Sequence, residues 1–333
     1  MARIELSALE ELAAQALVAG NTSEENARIV AAALVAADAD GIASHGVSRV
    51  PFYADQAASG KVDGHAVPVL TEHTAAVIGV DAACGFAFPA IRTGLAKALE
   101  CAGGLGLSAV SIGNSHHCGV LGHHVEWIAE RGLIALGFAN TPAGIAPWGG
   151  KRGSFGTNPI GFACPRRDAP PLVVDLSMSA VARGNVMLAD KRGEAIPEGW
   201  ALDAEGRATT DPRAALAGTM VPIGEAKGAA LAMMVELLSA ALAGANFAFE
   251  ASSFFTSDGP SPRTAQTFLV MDPNAFGIPG FLDRVEALVK EVDSQPGTRL
   301  PGRRRHRNRT LARDQGVDIA DDLLAELRAR AGT

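Results

Sequence analysis

"GLGLSA", residues 104–109, decides how the middle of this chain is built. Letter for letter it fits G-x-G-x-x-A, the glycine fingerprint of a Rossmann dinucleotide turn. That turn works only in the order strand, glycines, helix, because the pyrophosphate rests on the N-terminus of the helix that follows. Here the order is reversed. "FPAIRTGLAKALECA" (88–102) ahead of it has helical periodicity, and "LSAVSIG" (107–113) behind it reads as a buried strand. The glycines are a helix stop, and neither a Rossmann unit nor a Walker A loop is expected.

Working outward, "TAAVIGVD" (74–81) is a strand, "LGHHVEWIAERG" (121–132) a helix and "LIALGFAN" (133–140) a strand, so α and β elements alternate locally. Toward the N-terminus, residues 5–19 and 22–40 form two amphipathic helices, the second opened by Thr22 with Glu25 as a capping box. Residues 141–172 are rich in glycine and proline and read as loop around one short strand, "IGFAC". "PLVVDLS" (171–177) is a strand, "EAKGAALAMMVELLSAALAG" (225–244) the strongest helix and "TFLVMDP" (267–273) a strand. A helix near 279–292, the basic run "RRRHRNR" (303–309) and an amphipathic helix over 318–330 complete the chain.

A chain of 333 residues exceeds one ordinary hydrophobic core, so two domains are expected. With 48% apolar, 20% charged and 5% aromatic residues it is a globular protein packed mainly with aliphatic side chains. A net charge of -7 argues against a nucleic-acid surface. Cys84, Cys101, Cys118 and Cys164 are widely spaced without a CxxC pair, so reduced thiols are expected. The N-terminus carries acidic residues at helical spacing and no continuous apolar stretch, which predicts no signal peptide, no membrane span and a cytoplasmic protein.

Two polar clusters stand out. "GNSHHCGVLGHH" (113–124) holds four histidines and a cysteine between a strand and a helix. Zinc is one reading, as in a metal-dependent hydrolase, but the spacing lacks an H-x-x-x-H or CxxC pair. Gly119 and Gly122 at a helix start instead leave backbone amides for an anion such as a pyrophosphate or carboxylate, and histidines without a role are the bland alternative. In "IASHGVSRVPFYAD" (42–55), His45, Arg49 and the single tyrosine, Tyr53, are spaced i, i+4, i+8 beside Ser44. A helix would set them on one side, although Gly46 and Pro51 fit a turn becoming helix equally well. Arginine offers a fork for a carboxylate and histidine shuttles protons near neutrality, the needs of 2-hydroxy-acid oxidation. A capped surface helix start is the alternative.

Taken in order, Ser44-His45-Gly46 with Arg49 and Tyr53, Ser115-His116-His117-Cys118-Gly119, "APWGG" (146–150), "GTNPIGFACP" (156–165), "VVDLS" (173–177), "IPEGWALDAEGRATTDP" (196–212) and "PIGEAKGAALAMMVELL" (222–238) resemble the malate/L-lactate dehydrogenase family of the second type. That family includes sulfolactate, ureidoglycolate and malate dehydrogenases and Δ1-piperideine-2-carboxylate reductases. The resemblance runs nearly the whole length, to Pro301-Gly302. It implies an α/β protein with a non-Rossmann, mixed and largely antiparallel sheet flanked by helices, and a helical domain from both termini. The division expected is a helical, partly substrate-binding unit (1–70 with 280–333) and a cofactor-binding sheet unit (71–279).

The resemblance further implies an oxidoreductase using NAD or NADP on a small carboxylate substrate, assembled as a homodimer. Ser44, His45 and His117 take catalytic positions, the two histidines unranked, while Arg49, Tyr53 and Thr157 fall on the substrate side. His117, Cys118, Gly119, Val120, Leu121, Asp175, Leu176, Ser177 and Lys227 match cofactor-binding stretches. Hydroxy-acid oxidation and reduction of a cyclic imino acid stay open as reactions. The chain departs from the family at Cys118, where relatives commonly have an aromatic residue, and at His123 and His124, where paired tyrosines are frequent. It also departs at Arg303 and Arg304, where an acidic residue often follows Pro-Gly. The basic run around these arginines reads as a solvated loop, or as a partner for the 2′-phosphate of NADP.

Overall fold

The computed structural model describes residues 1–332. After a short strand β1 (Ala2–Ile4) come three helices, α1 (Leu6–Ala19), α2 (Glu24–Ala39) and α3 (Val50–Ala58). The α2 cap is Ser23, whose hydroxyl accepts the Asn26 amide, and not Thr22 as expected. Thr22 is buried one position earlier, where its hydroxyl cannot reach the helix amides.

The sheet region follows: β2 (Val69–Glu72), β3 (Val77–Asp81), α4 (Ala87–Leu105), β4 (Leu107–Ser115), α5 (Leu121–Ala129), β5 (Ile134–Ala139), β6 (Ile160–Cys164) and β7 (Leu172–Leu176). Gly106 closes α4 in the left-handed region (φ 85°) and sends its amide back to the Ala102 carbonyl at 2.7 Å. A Cβ at that position would lie 2.5 Å from Ala275. The GLGLSA stretch is thus a helix stop feeding a strand.

A smaller lobe carries α6 (Arg183–Arg192), β8 (Ala201–Leu202), β9 (Ala208–Thr209), α7 (Pro212–Ala217) and β10 (Thr219–Met220), packed on Ile145, Met178 and Val186. Then come α8 (Ala226–Glu236), running into a π-helical turn at Leu237–Ala241, and β11 (Thr264–Met271). The chain ends with α9 (Phe281–Asp293), α10 (Arg303–Gln315), β12 (Val317–Ile319) and α11 (Asp321–Ala331).

The main sheet has seven strands in the order β2-β3-β4-β11-β5-β6-β7. Only β3 and β4, joined through α4, run parallel; every other neighbouring pair is antiparallel. β11 lies between β4 and β5, which places the end of β4 and the start of α5 at the centre of the sheet edge. α4 and α5 bury Ile91, Leu95, Leu121 and Val125 against Val110, Ile112 and Phe268. A second core joins the chain ends: β1 pairs with β12, and Leu9, Leu17 and Leu34 pack with Tyr53, Leu324 and Leu327.

The basic run is not a loop. It forms the first half of α10, where only Ala312 is fully buried and the helix is fixed by charge instead. Arg309 is bidentate to Asp40 (2.8 Å twice) and to Glu126 (3.0 and 2.9 Å), which clamps α10 to the end of α2 and to α5. Among the described residues no helix is long and apolar enough to cross a membrane.

Candidate active site

Between α2 and α3 the chain makes two 3-10 turns, Ala43–His45 and Val47–Arg49, and Pro51 sits in the first turn of α3. This is the turn-into-helix arrangement. Gly46 joins the two turns because a Cβ there would overlap the Asp38 carboxylate, which accepts the Val47 amide at 2.7 Å. Burial pushes Asp38 up to about 7. The turn brings Ser44 Oγ to 2.9 Å from His45 Nδ1. Arg49 is nearly buried; its Nε donates to the Ser44 carbonyl at 2.7 Å and its guanidinium lies 4.6 Å over the Phe255 ring.

The second histidine cluster leaves the end of β4. His117 Nδ1 is 2.6 Å from the Tyr53 hydroxyl, and its ring is 5.3 Å from that of His45. Gln56 Nε2 donates to the Phe254 carbonyl at 2.8 Å, leaving Oε1 to accept His116 Nε2–H at 2.7 Å. His123 meets Asp40 at 2.8 Å and His124 the Cys118 carbonyl at 2.8 Å. The four imidazoles of the cluster therefore face four different partners. Among the described residues no group of three His, Cys, Asp or Glu side chains could hold a metal. Burial, reinforced by the Arg49 charge, pushes His45 down to about 3 and holds His117 well below its ordinary value, so both rings are neutral.

A cleft of about 650 Å³ collects most of the residues singled out from the sequence. Ser44, His45, Arg49 and His117 line it, with the stretch from Cys118 to Leu121, Thr157, Asp175, Ser177 and Arg304. Four residues stand elsewhere. Tyr53, expected to touch substrate, is wholly buried behind His117, because the two 3-10 turns rotate it off the line of His45 and Arg49. Leu176 faces away from the cleft, as alternation along β7 between Asp175 and Ser177 requires. Lys227 is exposed on the first turn of α8, and Arg303 pairs with Asp293 at 3.3 Å. His123 and His124 stay off the cleft wall.

At the N-terminus of α5, Gly119 takes φ 66°, where a Cβ would press on Phe88 at 2.9 Å. Gly122 does not offer a free amide as expected: it donates to Asp175 at 2.9 Å. The amides of Gly119, Val120 and Leu121 have no partner among the described residues. Arg305 lies over Gly122, 3.8 Å from Asp175, and its Nη1 is buried without a hydrogen-bond partner.

Sequence reasoning missed Arg183, Arg305 and the segment around Phe254 and Phe255. Arg183 lines the cleft, donates to the Leu216 carbonyl at 2.8 Å and makes no ion pair among the described residues. No local pattern marks it. The Phe254-Phe255 pair, in a chain poor in aromatics, was the signal available for that wall. Lys61 fixes this segment by donating to the carbonyls of Ser253, Thr256 and Asp258 at 2.7, 2.9 and 2.8 Å.

Comparison with known proteins gives the same assignment. The pattern that defines the malate/L-lactate dehydrogenase family matches residues 4–328. The chain is 53% identical over 330 residues, 98% of both proteins, to the (2R)-3-sulfolactate dehydrogenase (NADP(+)) of Chromohalobacter salexigens. It is 39% identical over 331 residues to the Δ1-pyrroline-2-carboxylate/Δ1-piperideine-2-carboxylate reductase of Pseudomonas putida, covering 99% of this chain and 97% of that one. The crystal structure of the Δ1-piperideine-2-carboxylate reductase from Pseudomonas syringae superposes with a TM-score of 0.94 at 39% identity, covering 99% and 100% of the two chains. The sulfolactate dehydrogenase of Methanocaldococcus jannaschii gives 0.91 at 27% identity, covering 99% and 97%. With its fold, its cleft and these relatives in agreement, the chain belongs to the malate/L-lactate dehydrogenase family of oxidoreductases.

Proposed function

We propose that the cleft oxidises and reduces a small 2-hydroxy or 2-oxo acid at C2, with NADP as the redox partner. The observation that carries this reading is Arg49: a nearly buried guanidinium with no carboxylate partner among the described residues, beside two neutral imidazoles. Its Nε is taken by the Ser44 carbonyl and its plane by Phe255, which leaves the guanidinium charge facing the cleft without a counter-ion among the described residues. A substrate carboxylate fits the fork.

The residues present suit a dinucleotide. The free amides of Gly119 to Leu121 at the α5 N-terminus and the orphaned Nη1 of Arg305 are the donor set that phosphate groups accept from. Asp175 and Ser177 on the same wall offer acceptors for sugar hydroxyls, and Arg304 offers a charge for a 2′-phosphate. Arg303 is spent on Asp293 and has no part in this proposal, and Lys227 has none within one chain. When bound, the cofactor accepts or supplies the hydride at C2.

The chain's own task is the carboxylate and the proton. Arg49 holds the carboxylate; burial is the larger cause of the His45 depression and the guanidinium charge the second, and the bound anion offsets this second cause. The imidazole is thereby lifted back toward the range where it exchanges protons near neutrality. His45, relayed by Ser44, or His117 takes the hydroxyl proton in oxidation and returns it in reduction. Thr157 lines the substrate end. Arg183, a second guanidinium without an ion-pair partner among the described residues, supports a substrate with a second anionic group, the chemistry in the name of the 53%-identical relative. A cyclic imino acid, as in the names of the 37–40% relatives, has one carboxylate and would leave Arg183 unmatched.

We also propose a homodimer. Support comes from α8 and the turn after it, which leave Leu231, Met233, Leu237 and Leu242 exposed. Four free cysteines suit the cytoplasm. The test of function is a NADPH-absorbance screen with sulfopyruvate, oxaloacetate, pyruvate and Δ1-piperideine-2-carboxylate, repeated with NADH. Turnover of sulfopyruvate or oxaloacetate well above the cyclic imine supports the reading; a cyclic imine as the preferred substrate reverses it.

A further inference from the structure

Tyr53 is the feature the reaction above does not absorb. It is fully buried, it lies outside the cleft, and the only partner of its hydroxyl among the described residues is His117 Nδ1 at 2.6 Å. A buried O–H needs an acceptor, and burial keeps this phenol protonated, its value pushed up by desolvation. Were the imidazole to donate from Nδ1, the phenolic hydrogen would have nowhere to go. The hydrogen bond therefore runs from Tyr53 to Nδ1, and the neutral His117 ring carries its own hydrogen on Nε2. Nε2 has no partner among the described residues, and His117 lines the cleft.

His45 has a different partner. Its Nδ1 meets Ser44 Oγ at 2.9 Å, and Ser44 is exposed. A serine hydroxyl can turn to donate or accept, with water or ligand taking its other bond. His45 can thus change which nitrogen bears hydrogen during a turnover, and His117 cannot.

We propose that Tyr53 is a positioning residue that locks His117 as an Nε2–H donor to the oxygen or nitrogen on substrate C2, leaving proton transfer to His45 and Ser44. This rests on the reaction proposed above, so the first test is independent of it. Protein labelled with 15N-histidine, without cofactor or substrate, is examined by 15N NMR between pH 6 and 9, with His117→Gln used to assign the signal. The expected result is a bare Nδ1 and a protonated Nε2 at every pH, and in Tyr53→Phe a mixture of tautomers. A protonated Nδ1 in the wild-type protein, or tautomers unchanged in Tyr53→Phe, overturns the proposal.

The second test is kinetic. A glutamine amide reaches about as far as Nε2 and can donate, but it does not titrate. His117→Gln is expected to keep turnover within about 100-fold of wild type, with the wild-type ionisation in its kcat pH profile, whereas His45→Gln loses about 100- to 10,000-fold, the range for a general acid–base. Loss of that ionisation in His117→Gln, with His45→Gln still active, reverses the two roles. If the wild-type protein turned over none of the substrates, the reaction would fall and the NMR result alone would decide what Tyr53 does.

Discussion

Replacing Arg49 by methionine removes the guanidinium and keeps most of the aliphatic bulk against Phe255. If Arg49 grips the substrate carboxylate in this nearly dry position, the change leaves a carboxylate buried without its partner, at a cost of about 2–5 kcal/mol. At about 1.4 kcal/mol per tenfold, kcat/KM for a 2-oxo acid falls about 30- to 4,000-fold. The control is the matching 2-oxo amide, which carries no charge and should lose little beyond its already weak turnover. A second consequence follows from the pKa of His45. After burial, Arg49 is a cause of its depression, so in Arg49→Met the imidazole rises, and the basic limb of the kcat/KM profile, set in reduction by the ring that must give a proton, moves to higher pH. The assay is initial rates followed through NADPH absorbance from pH 5 to 9, with cofactor affinity measured by fluorescence titration and expected to stay within about twofold. A drop of less than about threefold for the acid, or equal drops for acid and amide, would refute the carboxylate grip.

Two other perturbations act on the frame around the site. Asp38 has a folded-state value near 7 against an ordinary value near 4, so between those pH values the folded chain keeps a proton that the unfolded chain has released. Stability therefore falls as pH rises through that window, by about 4 kcal/mol for three units. Asp38→Asn keeps an acceptor for the Val47 amide and removes this step, while the buried neutral histidines, which make stability rise with pH up to their ordinary value, act in both proteins. The change in urea stability from pH 5 to pH 8 should therefore be more positive in the variant than in the wild type, and equal pH dependence in both would contradict the assignment. Arg309→Leu leaves Asp40 and Glu126 buried without their cation, and should cost about 3–5 kcal/mol in the same assay at pH 7. Asp40 lies below its ordinary value because the Arg309 and His123 bonds outweigh the upward push of burial, so this contribution is full above about pH 4 and is lost progressively as pH falls below it. A loss under about 1 kcal/mol would mean the clamp does not hold α10.

Local order was legible in the sequence; long-range pairing was not. The helix-stop reading of GLGLSA depended only on flanking periodicity and on glycine's access to positive φ, and Gly106 behaves accordingly. The insertion of β11 between β4 and β5 joins segments about 130 to 160 residues apart, and nothing in any of these strands specifies its neighbour. α10 escaped notice because a helix is recognised by its apolar stripe, and this one has almost none; ion pairs through Arg309 do the work of packing. Ser44, His45 and Arg49 drew attention because their types match the chemistry and His117 through the family resemblance, and the fold brings all four to one cleft. Tyr53 lies behind His117 because the segment makes two 3-10 turns before α3, the turn-into-helix alternative that the sequence left open beside a single helical face. Arg183 could not be found, since its significance is the lack of an ion-pair partner among the described residues, a property of the folded chain.

The central claim is that one cleft seats a carboxylate on Arg49 with its C2 beside His45 and His117, and seats nucleotide phosphates on the start of α5 and on α10. A crystal structure of the protein with NADP and oxamate, an unreactive 2-oxo acid mimic, tests it most directly. The oxamate carboxylate is expected forked on Arg49, its carbonyl oxygen within hydrogen-bond distance of an imidazole, and phosphate oxygens on the Gly119–Leu121 amides and Arg305. Oxamate bound away from Arg49, or a dinucleotide whose phosphates avoid the α5 N-terminus, would contradict it.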